Sequence, residues 1–305
     1  MKYALVTHLW KVAVERWGAL AFKEEIVRRG LCLLLVLALS GCGVQFAYSN
    51  LDWLLIDYIE GYVDLERDQK SILTQRIEGL KAWHQEEEIP LYIEHIDEMI
   101  AIDPKTFDEE AFLAQEEKMQ HHSERIVHKI APDLYSLSTL LTDEQANELI
   151  ENMEKRHDKF RKKYEDLDEA DFRELYLERI VENSEKWVGD LSDEQQQLAV
   201  EWSQKVKPSA EDWIKHQTYM RSVVKDLIDR RYDSAYFQVN FQRIMYEPKS
   251  YYSEALREKT MYNRMVARSY VVKMVNSMSN AQVEHFHEEL QDWRDIAIDI
   301  AQASN

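Results

Sequence analysis

Apolar residues recur three or four positions apart along most of the chain beyond residue 50, and this spacing places them on one face of an α-helix. Few residues interrupt the pattern, because the whole chain has only seven Gly and five Pro. Sandwiches, barrels and doubly wound sheets need many tight turns, and tight turns use Gly and Pro. The pattern therefore predicts an all-α fold, a multi-helix bundle of about eight to ten helices with long antiparallel helices.

The first predicted helix begins after Asn50, a residue type that favours the N-cap position. It is apolar on nearly every side, through Leu51, Trp53, Leu54, Leu55, Ile56, Tyr58, Ile59 and Tyr62. A helix of this kind is usually buried, so we expect a core helix; the alternative is a helix that lies on a lipid surface. Asp57 and Glu60 weigh against the lipid surface, since no basic residues flank them to offset an acidic leaflet.

A second helix is expected from about Leu65, with a kink or break at Pro90, which has no backbone N–H to donate. Thr106 is expected to cap the third helix, and Glu109 would complete a capping box by reaching back to it. This third helix should end near Ile130.

One helix-start motif occurs three times, as Leu141-Thr142-Asp143-Glu144-Gln145, as Leu191-Ser192-Asp193-Glu194-Gln195 and, more weakly, as Met278-Ser279-Asn280-Ala281-Gln282. In each copy Thr or Ser can cap the helix, and the Gln three positions later can complete a capping box. The copies are 50 and 87 residues apart, which excludes a solenoid of fixed period. We therefore expect three well-capped antiparallel helices.

The charge of the chain bears on its class of partner, and its aromatic content bears on whether it folds. The 305 residues include 57 Asp and Glu against 38 Lys and Arg, for a formal net charge of −19. Phosphate binding needs clustered Lys and Arg, so no nucleic-acid partner is expected. Eight Trp, 16 Tyr and nine Phe argue against disorder, because disordered chains are poor in aromatic residues.

The N-terminal residues have the pattern of an export signal. Arg28 and Arg29 precede the apolar run 31–39, which is too short to cross about 30 Å of hydrocarbon as a helix. The end of this run and the three residues after it, Leu39-Ser40-Gly41-Cys42, resemble a bacterial lipobox. The resemblance implies signal cleavage between Gly41 and Cys42, and lipid attachment to Cys42.

This pattern predicts three segments: a lipoprotein signal peptide at 1–41, a lipidated N-terminus and short tether at 42–49, and a single all-helical domain at 50–305. Translation is expected to begin near residue 27, because the region before it holds acidic residues that are unusual in a signal. Gly43, rather than Asp, follows the lipidated position, and by resemblance to the usual sorting rule this favours the outer membrane, facing the periplasm. The lipid on Cys42 is the only attached group that we expect, and no other cofactor is predicted.

The densest group of residues able to bind a ligand or move a proton is Trp83, His84, Glu87, Tyr92 and His95. His84 and Glu87 would share a helix face, and His95 would lie three turns further on if the helix continues. A buried His beside a Glu can accept a proton. The alternative, which we favour, is a helix kink with a satisfied His84 packed on Trp83.

Two Glu-x-x-His pairs, Glu154 with His157 and Glu284 with His287, match the spacing found in di-iron helical bundles. His157 lies in the run Lys155-Arg156-His157-Asp158-Lys159, which is typical of a solvated helix face. We therefore predict no metal site.

Several stretches resemble an uncharacterised family of bacterial all-helical lipoproteins: the lipobox, Asn50-Leu51-Asp52-Trp53-Leu54, Tyr62-Val63-Asp64-Leu65, Trp83-His84 and Ile89-Pro90-x-Tyr92. The resemblance covers nearly the whole mature chain and implies fold and location, but no activity. Leu141 to Gln145 and Leu191 to Gln195 are also similar to the Leu-Thr-x-x-Gln motif of Spy-type periplasmic chaperones. Those chaperones are short all-α cradles for unfolded clients, whereas this chain is about twice as long, acidic and has a lipobox.

These observations together favour a non-enzymatic, membrane-anchored lipoprotein that binds an envelope protein, as a scaffold or accessory factor in envelope assembly or maintenance. One alternative is a tethered chaperone of the Spy type. Another is a metal-dependent or His/Glu-based enzyme that uses His84, Glu87 and His95. No oligomeric state follows from the sequence.

Overall fold

A computed structural model of the chain describes residues 43–303. Within this range every regular element is helical, which confirms the all-α class, and residues 43–49 precede eleven α-helices. The helices are α1 Leu51–Glu60, α2 Arg67–Trp83, α3 Ile89–Ile100, α4 Glu109–Thr139, α5 Asp143–Tyr164, α6 Glu169–Val188, α7 Asp193–Lys205, α8 Ala210–Asp229, α9 Ser234–Tyr246, α10 Glu254–Asn276 and α11 Asn280–Gln302. A π-helical segment, His84–Glu88, joins α2 to α3, and a 3₁₀ turn, Pro248–Tyr251, precedes α10.

The expected signal peptide, its cleavage site at Gly41 and the lipidated Cys42 lie outside the described residues. The expected tether does fall partly within them, and residues 43–49 are helical. Among the helices described, none combines the length and the apolar character that crossing a membrane requires.

The first helix, α1, is peripheral, so the expectation of a core helix is wrong. None of its ten residues is buried, and it packs mainly against α2. The helix does begin after Asn50, as expected, and Asn50 stands at its N-cap position, where its carbonyl accepts from the N–H of Leu54 at 3.0 Å. Its side chain does not cap the helix, because the side-chain amide donates to the carbonyl of Phe46 at 2.8 Å. The backbone of Asn50 is not helical, so α1 is separate from the helical residues 43–49.

The expected interruption at Pro90 takes the form of the π-helical segment His84–Glu88. Pro90 lies in the first turn of α3, where its missing N–H leaves no hydrogen bond unmade. The wider turn of the π segment shifts the register between α2 and α3. Gln85 and Glu88 of this segment are both buried.

The cap and the end of α4 differ from the sequence expectation. Asp108, and not Thr106, caps the helix, because its carboxylate accepts from the N–H of Ala111 at 2.9 Å. Thr106 instead donates its hydroxyl to the carbonyl of Asp103. The helix also runs past Ile130 and through Pro132, which has no backbone N–H to donate, and it packs against α2 and α9.

The three repeated helix starts are confirmed as complete capping boxes, at Thr142 with Gln145, Ser192 with Gln195, and Ser279 with Gln282. A fourth box, Glu66 with Gln69, opens α2. The four boxes are joined in two pairs by hydrogen bonds between glutamine side-chain amides. Gln69 and Gln145 bond to each other at 2.7 to 2.9 Å, and Gln195 and Gln282 do so at 2.8 to 3.1 Å.

The helix contacts of the first half of the body, α1–α5, repeat in the second half, α6–α11. In the first half α1 packs on α2, and both α2 and α3 pack on α4. In the second half α6 packs on α7, and both α7 and α8 pack on α10. Helices α1, α2, α3 and α4 thus correspond to α6, α7, α8 and α10. The two halves interlock, because α11 packs along α3 while α5 packs along α8. Helix α9 has no counterpart in the first half and packs on α4 and α8.

Side-chain contacts follow the same correspondence. Lys105, before α4, donates to the carbonyl of Met278 at 2.8 Å, next to the box that opens α11. Arg231, before α9, donates to the carbonyl of Leu141 at 3.0 Å, next to the box that opens α5. Each half thus supplies a basic side chain to the helix-start loop of the other half.

The main apolar core lies where α4, α5, α8 and α9 meet. Its buried members are Ala131, Ala146, Leu227, Ile228, Phe237 and Phe241. A smaller cluster, formed by Ile180, Ala199 and Met274, joins α6, α7 and α10.

Candidate functional site

The five residues predicted to act together, Trp83, His84, Glu87, Tyr92 and His95, do not form one hydrogen-bonded group. The indole N–H of Trp83 donates to Glu87 Oε2 at 2.9 Å. His84 Nδ1 lies 3.1 Å from the hydroxyl of Tyr48. Both His84 and Glu87 lie in the π segment, where the turn is wider than in an α-helix.

Tyr92 connects the surface part of this region to its interior. Its ring packs edge-on against His84, with centroids 5.5 Å apart, and against His122, with centroids 4.7 Å apart. Burial raises the pKa of Tyr92 to about 12, and the nearby charge of Glu88 adds to the effect. Burial also raises the pKa of Tyr48 to about 12, so both phenols are neutral at physiological pH.

Glu88, at the end of the π segment, is fully buried and is the centre of a charged cluster. Arg125 donates to both carboxylate oxygens, from Nε to Oε2 at 2.7 Å and from Nη2 to Oε1 at 3.0 Å. His122 Nδ1 donates to Oε1 at 2.7 Å. Burial alone would raise the pKa of Glu88, but the hydrogen bonds and charges of Arg125 and His122 outweigh it and lower that pKa.

His95 extends this cluster from α3. Its Nδ1 lies 3.2 Å from His122 Nε2, and its Nε2 lies 2.9 Å from Gln115 Oε1. Burial lowers the pKa of His95, more than the hydrogen bond with Gln115 raises it, and the charges of His122 and Lys118 lower it further. His95 is therefore neutral at physiological pH. We call Glu88, His95, Gln115, His122 and Arg125 the Glu88 network.

The Glu88 network is continuous from α3 to α4. If His95 donates from Nε2 to Gln115 Oε1, its Nδ1 must accept from His122 Nε2. His122 Nδ1 lies within hydrogen-bond distance of both Glu88 Oε1, at 2.7 Å, and Arg125 Nη2, at 2.6 Å.

The sequence identified His95 but missed Glu88, Arg125 and His122. The spacing of His122 and Arg125 places them on one face of α4, which was the available signal. Glu88 is the last of three consecutive glutamates, and only the π segment distinguishes it from its exposed neighbours. In this arrangement the Glu88 carboxylate is occupied by donors of the protein, so the network joins α4 to the junction of α2 and α3.

Among residues 43–303, no group of three or more His, Cys, Asp or Glu side chains is placed to hold a metal ion. Glu154 of the first Glu-x-x-His pair bonds to Arg221 at 3.0 Å. The solvated face expected at His157 is wrong, because this side chain is half-buried and its Nδ1 is buried without a hydrogen-bond partner. Burial lowers the pKa of His157.

A shallow groove of about 630 Å³ lies between the loop after α3 and helix α11. Its polar lining consists of Asp103, Lys105, Asn280, Glu284, His287, Glu288 and Gln291. His287 Nε2 is buried there without a partner, although the rest of the side chain is half-exposed. The groove contains the second Glu-x-x-His pair but none of the five residues of the predicted constellation.

The surface where α4 and α10 pack together exposes four long apolar side chains, and we call it the α4–α10 surface. Leu113 and Met119 lie on α4, one turn before and one turn after Glu116. Met261 and Met265 lie on α10, and Met261 is 66% exposed. Arg264, between these two methionines, donates to Glu116 at 2.6 Å and joins the two helices.

Comparison with known proteins gives one positive result. A family model described as "Family of unknown function (DUF6279)" matches residues 61–257. Neither curated proteins nor solved structures gave a match. The matched range begins after α1 and extends into α10, so it contains the Glu88 network and most of both halves.

Proposed function

This chain belongs to the family of unknown function DUF6279, and we propose that it is an outer-membrane lipoprotein facing the periplasm whose helical body binds another envelope protein. The anchor is proposed from the sequence Leu39-Ser40-Gly41-Cys42 and from Gly43 after it. The body acts as a scaffold or accessory factor and does not catalyse a reaction.

The α4–α10 surface is the observation that carries the binding proposal. Its four apolar side chains are exposed on two helices that pack together, in a strongly acidic molecule. Exposed apolar residues on neighbouring helices are typical of protein-interaction sites, and Met in particular adapts its shape to a partner. The Glu116–Arg264 ion pair joins the two helices between them.

The geometry of the predicted constellation supports binding over catalysis. Trp83 and Glu87 bond to each other, and His84 is engaged by Tyr48. Glu88 accepts three hydrogen bonds from protein donors and is fully buried. A general base needs a lone pair that reaches the proton of a substrate, and the buried carboxylate of Glu88 directs its oxygens at Arg125 and His122 instead.

The anchor is tested by metabolic labelling with palmitate. We expect the wild-type chain to take up the label, and we expect Cys42→Ala to abolish labelling and to yield an uncleaved or soluble form. Labelling that persists in Cys42→Ala would remove the anchor from the proposal.

The binding proposal is tested by cross-linking in cells followed by purification and mass spectrometry. The wild-type chain should recover one envelope protein in near-equal amounts. Met261→Asp combined with Met265→Asp should reduce that recovery by an order of magnitude or more, because a charge at the centre of an apolar contact must be desolvated. Gln238→Asp, on the exposed side of α9, is the matched control and should leave recovery unchanged.

Other outcomes of this experiment point to the alternatives. Many unrelated clients in small amounts would contradict a scaffold and favour a tethered chaperone. The Leu-Thr-x-x-Gln motif itself gives no support to the chaperone, because Gln145 and Gln195 are used in capping boxes and in amide pairs. Loss of function on His84→Ala with unchanged partner recovery would favour an enzyme.

A further inference from the structure

Helix α1 combines an apolar composition with a peripheral position. None of its residues is buried. Two aromatic side chains, Phe46 just before the helix and Trp53 within it, are 68% and 60% exposed. They are seven residues apart, on two helical stretches that meet at Asn50.

The opposite side of this segment is held by the body. The hydroxyl of Tyr48 contacts His84 Nδ1 at 3.1 Å and the carbonyl of Lys81 at 3.3 Å. Near the end of α1, the guanidinium of Arg156 lies 5.1 Å from the ring of Tyr58 and 3.8 Å from that of Tyr62. Tyr48 lies on the stretch that carries Phe46, and Tyr58 lies on the helix that carries Trp53, so the body holds each stretch separately. The exposure of Phe46 and Trp53 places both side chains away from these contacts.

The outward side carries few charges. The exposed residues from 45 to 56 are Gln45, Phe46, Ser49 and Trp53, and the first fully exposed charge is Asp57. Asp52, next to Trp53, is only partly exposed. An acidic chain with a formal charge of −19 thus presents a strip with few charges beside its anchor position.

We propose that Phe46, Ser49 and Trp53, which we call the α1 outer face, insert into the interfacial layer of the leaflet that holds the lipid on Cys42. This inference rests on the proposed lipid anchor. Cys42 precedes Phe46 by four residues, so the two can be at most about 14 Å apart. Trp favours the membrane interface, and a helix lying there buries its apolar side by about 5–10 Å.

Charge explains where the helix leaves the membrane. Glu60 is paired with Lys70 and Asp52 is only partly exposed, so Asp57 is the fully exposed acidic charge of α1. Repulsion between Asp57 and an acidic leaflet would tilt the C-terminal end of α1 away from the lipid. The anchor holds the body at the membrane, and the α1 outer face sets its orientation there.

The test uses single introduced cysteines in the lipidated protein. The mature chain contains no other Cys than Cys42, because Cys32 belongs to the expected signal, so a new thiol can be labelled selectively. Phe46→Cys, Trp53→Cys and Val239→Cys would each carry a nitroxide. Val239 on α9 is 66% exposed and is the matched control. The proteins are reconstituted into vesicles of phosphatidylethanolamine and phosphatidylglycerol.

Collision rates of the nitroxide with oxygen, which dissolves in lipid, are then compared with those of a water-soluble nickel complex. We expect the ratio of oxygen to nickel collisions at 46 and 53 to exceed that at 239 several-fold. Equal ratios at all three positions, with the protein still floating with vesicles, would overturn the inference. So would protection of 46 and 53 from both reagents, which would indicate a protein occupant. A wild-type chain without palmitate would instead refute the anchor, and the inference with it.

Discussion

At the scale of single residues, Glu88 shows how this chain stabilises a buried charge. A carboxylate without solvent contact is costly unless charged donors surround it. Arg125 and His122 both donate to it, and together they lower its pKa despite the burial. Breaking the cluster from one side leaves the carboxylate with too few donors.

We expect Arg125→Leu to reduce the free energy of unfolding by about 3 kcal/mol, the lower end of the range for a broken buried ion pair, because His122 continues to donate. Adding Glu88→Gln should restore about 1 kcal/mol, since it removes the unpaired charge. Urea unfolding measures both effects. The control is Arg161→Leu, which breaks surface pairs and should cost about 0.5 kcal/mol or less. Absence of any rescue by Glu88→Gln would show that charge is not the cause.

Stability should also fall in mild acid. Burial lowers the pKa of His95, His157 and His216, so the unfolded chain binds protons that the folded chain does not. The free energy of unfolding therefore decreases as the pH falls through the ordinary histidine value of 6.5. Glu88, whose pKa is lowered, adds a second loss below its ordinary value of 4.5.

Urea unfolding at pH 7.5 and at pH 5.5 measures this dependence. His95 faces His122, Gln115 and Lys118, and these neighbours remain in His95→Gln. We expect His95→Gln to reduce the loss of stability between the two pH values, because it removes one of the three titrating groups. An unchanged or larger loss would contradict the assignment.

The grouping of some of these residues could be predicted from the sequence, but their pairing could not. Trp83, His84, Tyr92 and His95 do lie in one region, as their local spacing predicted. Glu88 meets Arg125 across 37 positions, and no local pattern encodes that distance. The π segment also decides which of three consecutive glutamates is buried, and its register depends on the packing of α3 and α4 around it.

At the scale of helices, the capping boxes are also the contacts between elements. Gln195 is fully buried, accepts from the N–H of Ser192 and pairs with Gln282. Gln282 in turn donates to the carbonyl of Asp190, at the loop before α7. One side chain thus caps its own helix and fixes the position of another.

We expect Gln195→Ala to cost about 2 kcal/mol, because it removes a cap and leaves buried polar atoms of its neighbours without a partner. Gln197→Ala, on the same helix but exposed, should change the free energy of unfolding by less than about 0.5 kcal/mol. Thermal or urea unfolding of the two variants provides the comparison. Equal effects would mean that the amide pair is not a stabilising contact.

Local rules predicted helix starts well and helix environments less well. Thr142, Ser192 and Ser279 were recognised because a cap is a local arrangement of four residues. The capping box at Glu66 was not predicted, because Glu is not a usual N-cap residue. The exposure of α1 was missed for a different reason. An apolar helix can be buried in a protein core or lie on a membrane, and its composition does not distinguish the two.

At the scale of the whole molecule, the two halves are interlocked. Helix α5 of the first half packs on α8 of the second, and α11 of the second packs on α3 of the first. Lys105 and Arg231 add reciprocal contacts to the helix-start loops. Neither half can unfold without exposing apolar surface of the other, which favours a single cooperative transition.

We therefore expect one urea transition, with the same midpoint for far-ultraviolet circular dichroism and tryptophan fluorescence. Hydrogen exchange should give similar opening free energies for the amides of α3, α5, α8 and α11. Two separate transitions, or markedly lower protection in α3 and α11 than in α5 and α8, would show that the halves are independent. The sequence did not reveal this correspondence, because the halves share helix contacts and capping boxes more than residue identities.

The central claim is that a lipid-anchored helical body binds one envelope protein through the α4–α10 surface. The most direct measurement places a photoreactive amino acid at Met261 in living cells, with Gln238 on α9 as the control position. The account predicts one dominant adduct at Met261 that is absent at Gln238 and is identified by mass spectrometry as an envelope protein. No adduct at Met261, or the same adducts at both positions, would contradict it.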